Sequence, residues 1–375
     1  MAHGSQLPVY SLLLRAYSSQ LTAYCSLFEV FDLASTKIKS PRIAGITTCV
    51  PARVFDNLRD ASEFTEDEVR KVSGMAGVSS RHIADDSICS SDLCLEAARG
   101  LLKELDWDPD SIDALIMVTQ TPDYFLPSTA CIVQHKLDLP DKCAAFDVGL
   151  GCSGYPYGLW LASLILRSHG FRRLLLLHGE TPARFAEKSD RSVSLLFGDA
   201  GSATALEATD GTGSRDWTFV LNSDGRGYGD LIIEGGGFRD RFPEDPRKHF
   251  VFMHGANIFN FTIKRVPPLV METLDCAGIK AEDVDYFIFH QANQFILKHL
   301  MNKLKLPAEK VPLILKEFGN AGGPSVPLTI TKGGLTRKPD RPIVLMLLGF
   351  GVGLSWASAL VELEPEAKLL HYELE

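Results

Sequence analysis

Apolar runs bounded by polar turns recur along this chain, and they recur twice in the same order. SIDALIMVTQTPD (111–123) opens with an acid, continues as an unbroken apolar run and ends in a polar turn; DVDYFIFHQANQ (283–294) does the same. Each follows a stretch with the apolar spacing of a helix, LCLEAARGLLKEL (93–105) before the first and FTIKRVPPLVMETLDCAG (261–278) before the second. Asp113 and Asp285 lie 172 residues apart; at nearly that offset two more blocks pair off, and a last pair follows in the same order. AAFDVGLGCSG (144–154) faces LKEFGNAGGPS (315–325), RRLLLLHGE (172–180) faces RPIVLMLLGFG (341–351), and FGDAGSATALEA (197–208) faces FGVGLSWASALVE (350–362). Runs such as LLLL are apolar on both faces and belong in sheets covered by helices on both sides. The pattern predicts a duplicated α/β fold of α-β-α-β-α layers, with halves at 42–210 and 211–375 and a site where they meet. RIAGITTCVP, from Arg42, reads as the first strand. Residues 1–41 read as a poorly ordered extension or as sequence upstream of the natural start; a targeting peptide is the lesser reading, because basic residues are sparse and no small-residue cleavage site stands out.

The blocks carry three candidate reactive side chains. CAAFDVGL reads as a strand and GLWLASLILRS as a buried helix, with Gly151, Cys152, Ser153 and Gly154 between them. Small neighbours let the chain turn sharply and leave the thiol uncovered. A thiol at a helix N-terminus faces unpaired N–H groups and the positive end of the dipole, so a thiolate is expected there. The same N–H groups can hold an oxyanion during attack on a thioester. His290 ends the strand VDYFIFH, where α/β folds place chemistry. Asn320, between glycines in KEFGNAGGPS, follows a further predicted strand in the segment that mirrors Cys152. Alone, the histidine reads as structural and the asparagine as a turn residue; together they occupy matching element ends. The glycine-rich turn in GFGVGLSWASAL (349–360) reads as a tight turn or as the source of another oxyanion N–H.

Composition narrows the classes. The 375 residues, 45% hydrophobic and 23% charged, suit an ordinary globular protein of two domains or one duplicated one. A net charge of -9 argues against nucleic acid as a partner. Eight cysteines without a CxxC pair suggest neither zinc nor a disulfide framework, and point to the cytoplasm. No apolar stretch reaches the roughly 18 residues of a membrane span.

Cys152 in its elbow, HQAN at 290–293, GN at 319–320 and the FGVGLSW turn resemble the ketoacyl-acyl-carrier-protein synthase III branch of the thiolase superfamily. The resemblance runs from about Arg42 to about Glu362, and includes GVSSRHIA (77–84), LPSTACIVQ (126–134) and SDRSVSLLFGDAGSA (189–203). It implies a thiolase-like fold and a homodimeric enzyme with a Cys152–His290–Asn320 triad. Such an enzyme loads an acyl group from a coenzyme A or acyl-carrier-protein thioester, decarboxylates a malonyl-type extender and joins the two by Claisen condensation. This is the chemistry of fatty acid or polyketide biosynthesis. His290 and Asn320 would donate hydrogen bonds to the enolate, and the N–H groups of Cys152 and Val352 would hold the acyl oxygen. Val352 stands where the family has glycine. No metal or redox cofactor is required. The resemblance further implies substrate contacts at Arg191, Leu126, Asn293, Gly255 and Phe259.

Several positions depart from the family. TEDEVRKVSGM (65–75) lacks its adenine-stacking Trp, Phe295 replaces an Arg after HQAN, and Asn260 replaces a basic residue. Leu126 stands where a Phe often reaches into the partner subunit's acyl pocket, so a roomier pocket is expected. Lys303 and Lys305, with Lys298, Lys264 and Arg265, read as a docking patch for an acidic carrier protein or as a solvated helix face. A non-decarboxylating acyltransferase is the alternative reading, and a non-catalytic partner subunit a lesser one. A hydrolase is set aside because the sequence places no carboxylate beside the dyad.

Overall fold

The computed structural model describes residues 35–210 and 215–375. It begins with β1 (Ser35–Ile38), β2 (Arg42–Pro51) and β3 (Val54–Asp56), then α1 (Glu66–Ala76) and β4 (Ser80–His82), which pairs antiparallel with β3. The first half continues through α2 (Ser90–Leu105), β5 (Ala114–Val118), α3 (Thr129–Lys136), β6 (Ala144–Val148), α4 (Gly154–Leu166), β7 (Arg173–Glu180) and β8 (Ala200–Glu207). The second begins with β9 (Trp217–Ser223) and the ribbon of β10 (Leu231–Ile232) with β11 (Phe252–Met253). It then runs through α5 (Gly255–Ala277), β12 (Tyr286–Phe289), α6 (Gln294–Leu304), α7 (Leu315–Phe318) and α8 (Ser325–Lys332) to β13 (Ile343–Gly351), β14 (Ser355–Leu363) and β15 (Lys368–Leu374).

Two mixed sheets result, ordered β15-β2-β8-β7-β5-β6 and β1-β9-β14-β13-β12. Their pairings correspond. β2–β8 and β8–β7 are antiparallel and β7–β5 parallel; β9–β14 and β14–β13 are antiparallel and β13–β12 parallel. The repeated acids have a repeated task. Asp113 accepts the backbone N–H groups of Arg172 and Arg173 at 2.7 and 3.1 Å, and Asp285 accepts that of Val344 at 2.9 Å. Each ties the start of one parallel strand to its neighbour.

Alternate side chains of each strand enter different cores, as the strand period requires. Leu174 and Leu176, with Leu345 and Leu347, pack inward with Tyr155 and Leu159 of α4 and Val326 and Ile330 of α8. These two helices form the middle layer between the sheets. Leu175 and Leu177 point outward onto Leu93, Ala97 and Leu101 of α2. Met346 and Leu348 point outward onto Val266, Leu269 and Val270 of α5 and Leu297 and Leu300 of α6. Full burial of each such side chain contributes about 1.5–3 kcal/mol relative to exposure. The fold is the duplicated α-β-α-β-α arrangement, built of helix, sheet, helix, sheet and helix.

Three details differ from the sequence reading. Residues 1–34 lie outside the described residues, but Ser35–Ile38 already forms β1, so the fold starts ahead of Arg42. β1 joins the second sheet and β15 the first, so each half borrows a strand from across the boundary. The predicted strand before Asn320 is helix α7, and the second sheet ends at β12 with no counterpart of β6 among the described residues.

Candidate active site

The Cys152 elbow follows β6 and ends at α4, whose first residue is Gly154. Space dictates its glycines. A Cβ at Gly154 would lie 2.6 Å from Val118 Cγ1, and one at Gly151 would lie 2.3 Å from Gln120 Oε1. From the other half, the end of β13 approaches so closely that a Cβ at Gly351 would lie 2.9 Å from the Cys152 sulfur. The backbone N–H groups of Val352 and of Cys152 itself face that sulfur and favour its thiolate, but burial outweighs them and pushes the thiol up to about 11. The expectation of a resting thiolate is therefore corrected: at neutral pH Cys152 is a thiol that needs a base.

His290 follows β12 and is buried. Its Nδ1 lies 3.0 Å from the Gly322 carbonyl oxygen and 3.0 Å from Ser325 Oγ. A carbonyl only accepts, so the Gly322 contact puts the proton on Nδ1 and leaves Nε2 as the basic nitrogen. Burial is the first cause of a pKa lowered to about 4, so the ring is neutral at pH 7. His290 can donate through Nε2 only after taking up a proton there, or after Ser325 supplies the hydrogen on Nδ1. Ser325 Oγ also accepts the Gln291 N–H at 3.1 Å, which leaves its own hydrogen free for that role.

Asn320 is held by its backbone between Leu196 O (2.9 Å) and Gly198 N–H (3.1 Å). This clamp requires glycine on both sides: a Cβ at Gly198 would lie 2.3 Å from Phe318 O, and Gly319 has φ +63. The Asn320 Oδ1 accepts the Gly322 N–H at 3.0 Å, and Nδ2 donates to Ala292 O at 3.3 Å. Gly322 thus joins Asn320 to His290, and it also lines the cavity that contains Cys152.

That cavity has a volume of about 250 Å³. Phe185, Phe197, Leu231, Ile232, Ile233 and Val251 give it apolar walls, and Val352 and Gln120 border the nucleophile. One wall residue was not foreseen. Glu180, at the C-terminal end of β7, faces the same cavity and is only 3% exposed. Its Oε1 accepts the Gln120 N–H at 2.8 Å and its Oε2 the Thr121 hydroxyl at 3.1 Å. Burial nevertheless raises its pKa to about 8, so it is a neutral acid at pH 7. A carboxyl therefore lines the cavity of Cys152, as a neutral acid rather than the water-activating carboxylate that a hydrolase would need. Its position at a strand end, closing the block RRLLLLHGE, was the available signal.

The site lies where the two halves meet: Cys152 lines an apolar cavity, and His290 and Asn320, which do not line it themselves, hydrogen-bond to Gly322 in its wall. Residues 146–225 match the family model of 3-oxoacyl-[acyl-carrier-protein] synthase III, and residues 274–363 match its C-terminal model. A β-ketoacyl-[acyl-carrier-protein] synthase III of Caldanaerobacter subterraneus subsp. tengcongensis is 33% identical over 327 residues, covering 85% of this chain and 97% of that relative. This chain belongs to the β-ketoacyl-[acyl-carrier-protein] synthase III family. Among solved structures, the 3-oxoacyl-(acyl-carrier protein) synthase of Burkholderia xenovorans LB400 superposes with a TM-score of 0.87 at 44% identity, over 91% of this chain and 99% of that one. The priming β-ketosynthase of the R1128 polyketide pathway gives a TM-score of 0.77 at 27% identity, over 88% and 98%. The fold is thiolase-like, and the protein is a condensing enzyme of the acyltransferase class.

Other positions singled out in this synthase III chain lie away from the cavity lining. Arg191 is paired with Glu68 at 3.2 Å in a surface hollow. Asn293 caps α6, its Oδ1 accepting the Ile296 N–H at 2.8 Å. Gly255 starts α5, and Phe259 on that helix packs against Phe295, with ring centroids 5.3 Å apart. Leu126 is 78% exposed beside exposed Tyr124 and Phe125. Lys303 Nζ donates to Ile263 O at 2.7 Å, and Lys305 adopts φ +55 at the end of α6. Among the described residues no cluster of side chains suited to a metal ion is found.

Proposed function

We propose that this enzyme carries its acyl group on Cys152 and extends it by decarboxylative Claisen condensation with a malonyl-type thioester, giving a β-ketoacyl thioester for fatty acid or polyketide biosynthesis. The observation that carries this is the Gly322 bridge, which fixes a neutral histidine and an asparagine amide as a pair behind the cavity of the cysteine. In loading, His290 Nε2 takes the thiol proton as sulfur attacks the donor thioester carbon. The oxyanion is held by the N–H groups of Cys152 and Val352. The donor C–S bond then breaks, and the departing thiolate takes the proton from His290. In the second half, loss of CO2 from the malonyl thioester gives an enolate whose oxygen accepts hydrogen bonds from Asn320 Nδ2 and from His290 in the tautomer that carries its hydrogen on Nε2, with Ser325 Oγ donating to Nδ1. The enolate carbon attacks the Cys152 thioester, and Cys152 leaves as a thiolate that takes a proton from solvent to restore the resting thiol. Intact-mass analysis with a panel of acyl-coenzyme A and acyl-carrier thioesters tests loading: parent gains one acyl mass and Cys152→Ala gains none.

We propose a homodimer and an acyl-carrier-protein partner. Supporting the first, β6 is one of the two edge strands of the six-stranded sheet among the described residues, and Tyr124, Phe125 and Leu126 expose apolar surface. Light scattering should report about twice 41.2 kDa, and the double change Phe125→Asp, Leu126→Asp should shift it toward monomer. For carrier docking, Lys303→Glu with Lys305→Glu should raise KM for carrier-bound substrate and leave small thioesters unaffected. Among the described residues no helix is long and apolar enough to cross a membrane. The seven described cysteines are free, which fits a cytoplasmic enzyme.

A further inference from the structure

We propose that Ser153 and Ser355 are positioning residues for acyl transfer, a chain of two hydroxyls across the boundary between the halves that holds the Val352 N–H where the oxyanion forms. The inference rests on Cys152 as the acyl carrier and on Val352 as an oxyanion donor. Val352 opens the turn between β13 and β14, beyond the last ladder pair, Gly351 with Ser355, so the sheet itself does not fix it. Its N–H faces the Cys152 sulfur. At the other end of the turn Leu354 is tied to Asp224, N–H to carbonyl in both directions, at 3.2 and 2.8 Å. Among the described residues, the hydrogen bond that the Val352 carbonyl accepts is the one from Ser355 Oγ, at 2.9 Å.

The hydrogens run one way. A carbonyl only accepts, so the Ser355 hydrogen goes to Val352. Ser153 Oγ lies 2.6 Å from Ser355 Oγ, and its own hydrogen therefore goes to Ser355. Local sequence leaves Ser153 available for this. It stands at the N-cap of α4, where a serine ordinarily accepts the N–H of the second or third helical residue. The third is Pro156, which has no N–H, and the Ser153 hydroxyl makes no capping bond. Both serines are buried. Their approach depends on Gly349 of β13, where a Cβ would lie 2.6 Å from the Cys152 carbonyl oxygen and 2.7 Å from Ser153 Cα. The residue beside the nucleophile thus holds, through Ser355, the carbonyl of the residue whose N–H faces the nucleophile. Released at that carbonyl, Val352 would be free to drift from the developing charge, and misplacement by about 1 Å can cost about 10²-fold in rate.

Two reactions of the same sulfur separate loss of the oxyanion donor from general damage to the elbow. Acylation by a thioester passes through an oxyanion, whereas alkylation by iodoacetamide displaces iodide from a saturated carbon and forms none. Both are measured on the full chain, acylation as intact mass with the best donor among acetyl-, butanoyl- and octanoyl-coenzyme A at saturation, and alkylation at the Cys152 peptide. In Ser355→Ala, acylation should slow by about tenfold or more beyond any slowing of alkylation, as befits a donor displaced rather than removed. Ser355→Thr, which keeps the hydroxyl, should recover most of the rate. Ser153→Ala should show the same selective loss at smaller size, and it carries the test should Ser355→Ala not fold. Because Ser153 acts through Ser355, the double alanine variant should be no slower than Ser355→Ala. Acylation and alkylation slowed equally, or acylation left at the parent rate, overturns the positioning role; a double variant slower than Ser355→Ala overturns the chain. No acyl mass on the parent Cys152 from any of the three donors overturns the carrier reading, and this inference with it.

Discussion

His290 and Asn320 grip opposite ends of one residue: the ring Nδ1 donates to the Gly322 carbonyl and the Asn320 Oδ1 accepts the Gly322 N–H, each at 3.0 Å. The two side chains cannot shift independently, and both are set against the cavity wall that Gly322 forms. In the proposed chemistry they meet the enolate together, whereas acyl loading needs only the base and the oxyanion N–H groups.

Asn320→Ala should therefore separate the half-reactions. Removing one donor aimed at developing charge typically costs about 10²–10³ in rate. Single-turnover acylation of Cys152 should stay near that of the parent, while CO2 release from a malonyl thioester slows at least about a hundredfold. Equal slowing of both half-reactions would show that Asn320 serves the fold of the site rather than the enolate.

Gly351→Ala probes the contact between the halves at the nucleophile. The new Cβ would lie 2.9 Å from the Cys152 sulfur and the backbone there has φ +156, so the sulfur or the turn must move. Misplacement by about 1 Å can cost about 10²-fold in rate. Acylation should fall by roughly that factor with circular dichroism unchanged. Undiminished acylation would mean that the Val352 N–H does not need its present position.

Strands apolar on both faces made an α/β layered fold legible, and the blocks repeated in the same order made the duplication legible. Asp113 and Asp285 were legible as markers, and their matching N–H bonds across the parallel strands explain why they mark the repeat. Cys152, His290 and Asn320 stood out as residues at equivalent element ends. The strand expected before Asn320 was misread because LKEF is too short a run for periodicity to distinguish strand from helix. The exchange of β1 and β15 was hidden because strand partners are set by tertiary pairing. Glu180 was overlooked for a similar reason: Gln120, Thr121 and Gly322, which define its environment, are far away in sequence. The resting state of Cys152 was misjudged because the local elbow favours thiolate, whereas burial between the sheets outweighs it.

Stability should carry the signature of the buried acid. Glu180 is raised to about 8 in the fold from an ordinary 4.5. The native state therefore holds a proton that the unfolded chain releases, so the stability contributed is complete below 4.5 and is lost as pH rises through about 8. His290, lowered to about 4 from 6.5, acts in the opposite sense: its contribution is present above 6.5 and is lost as pH falls through about 4. Thermal melts of Glu180→Gln should show a smaller fall in Tm than the parent between about pH 5 and pH 9. Parallel curves would mean that Glu180 is already ionised in the fold at neutral pH.

Release of labelled CO2 from a malonyl thioester, measured on the same preparations as the acyl mass on Cys152, tests condensation most directly. The parent, once acylated, should release CO2 and form one β-ketoacyl thioester for each acyl group lost from the cysteine, and Cys152→Ala should form no product. A parent that loads Cys152 from several donors but releases no CO2 from any malonyl-type thioester would contradict condensation and leave a non-decarboxylating acyltransferase in its place.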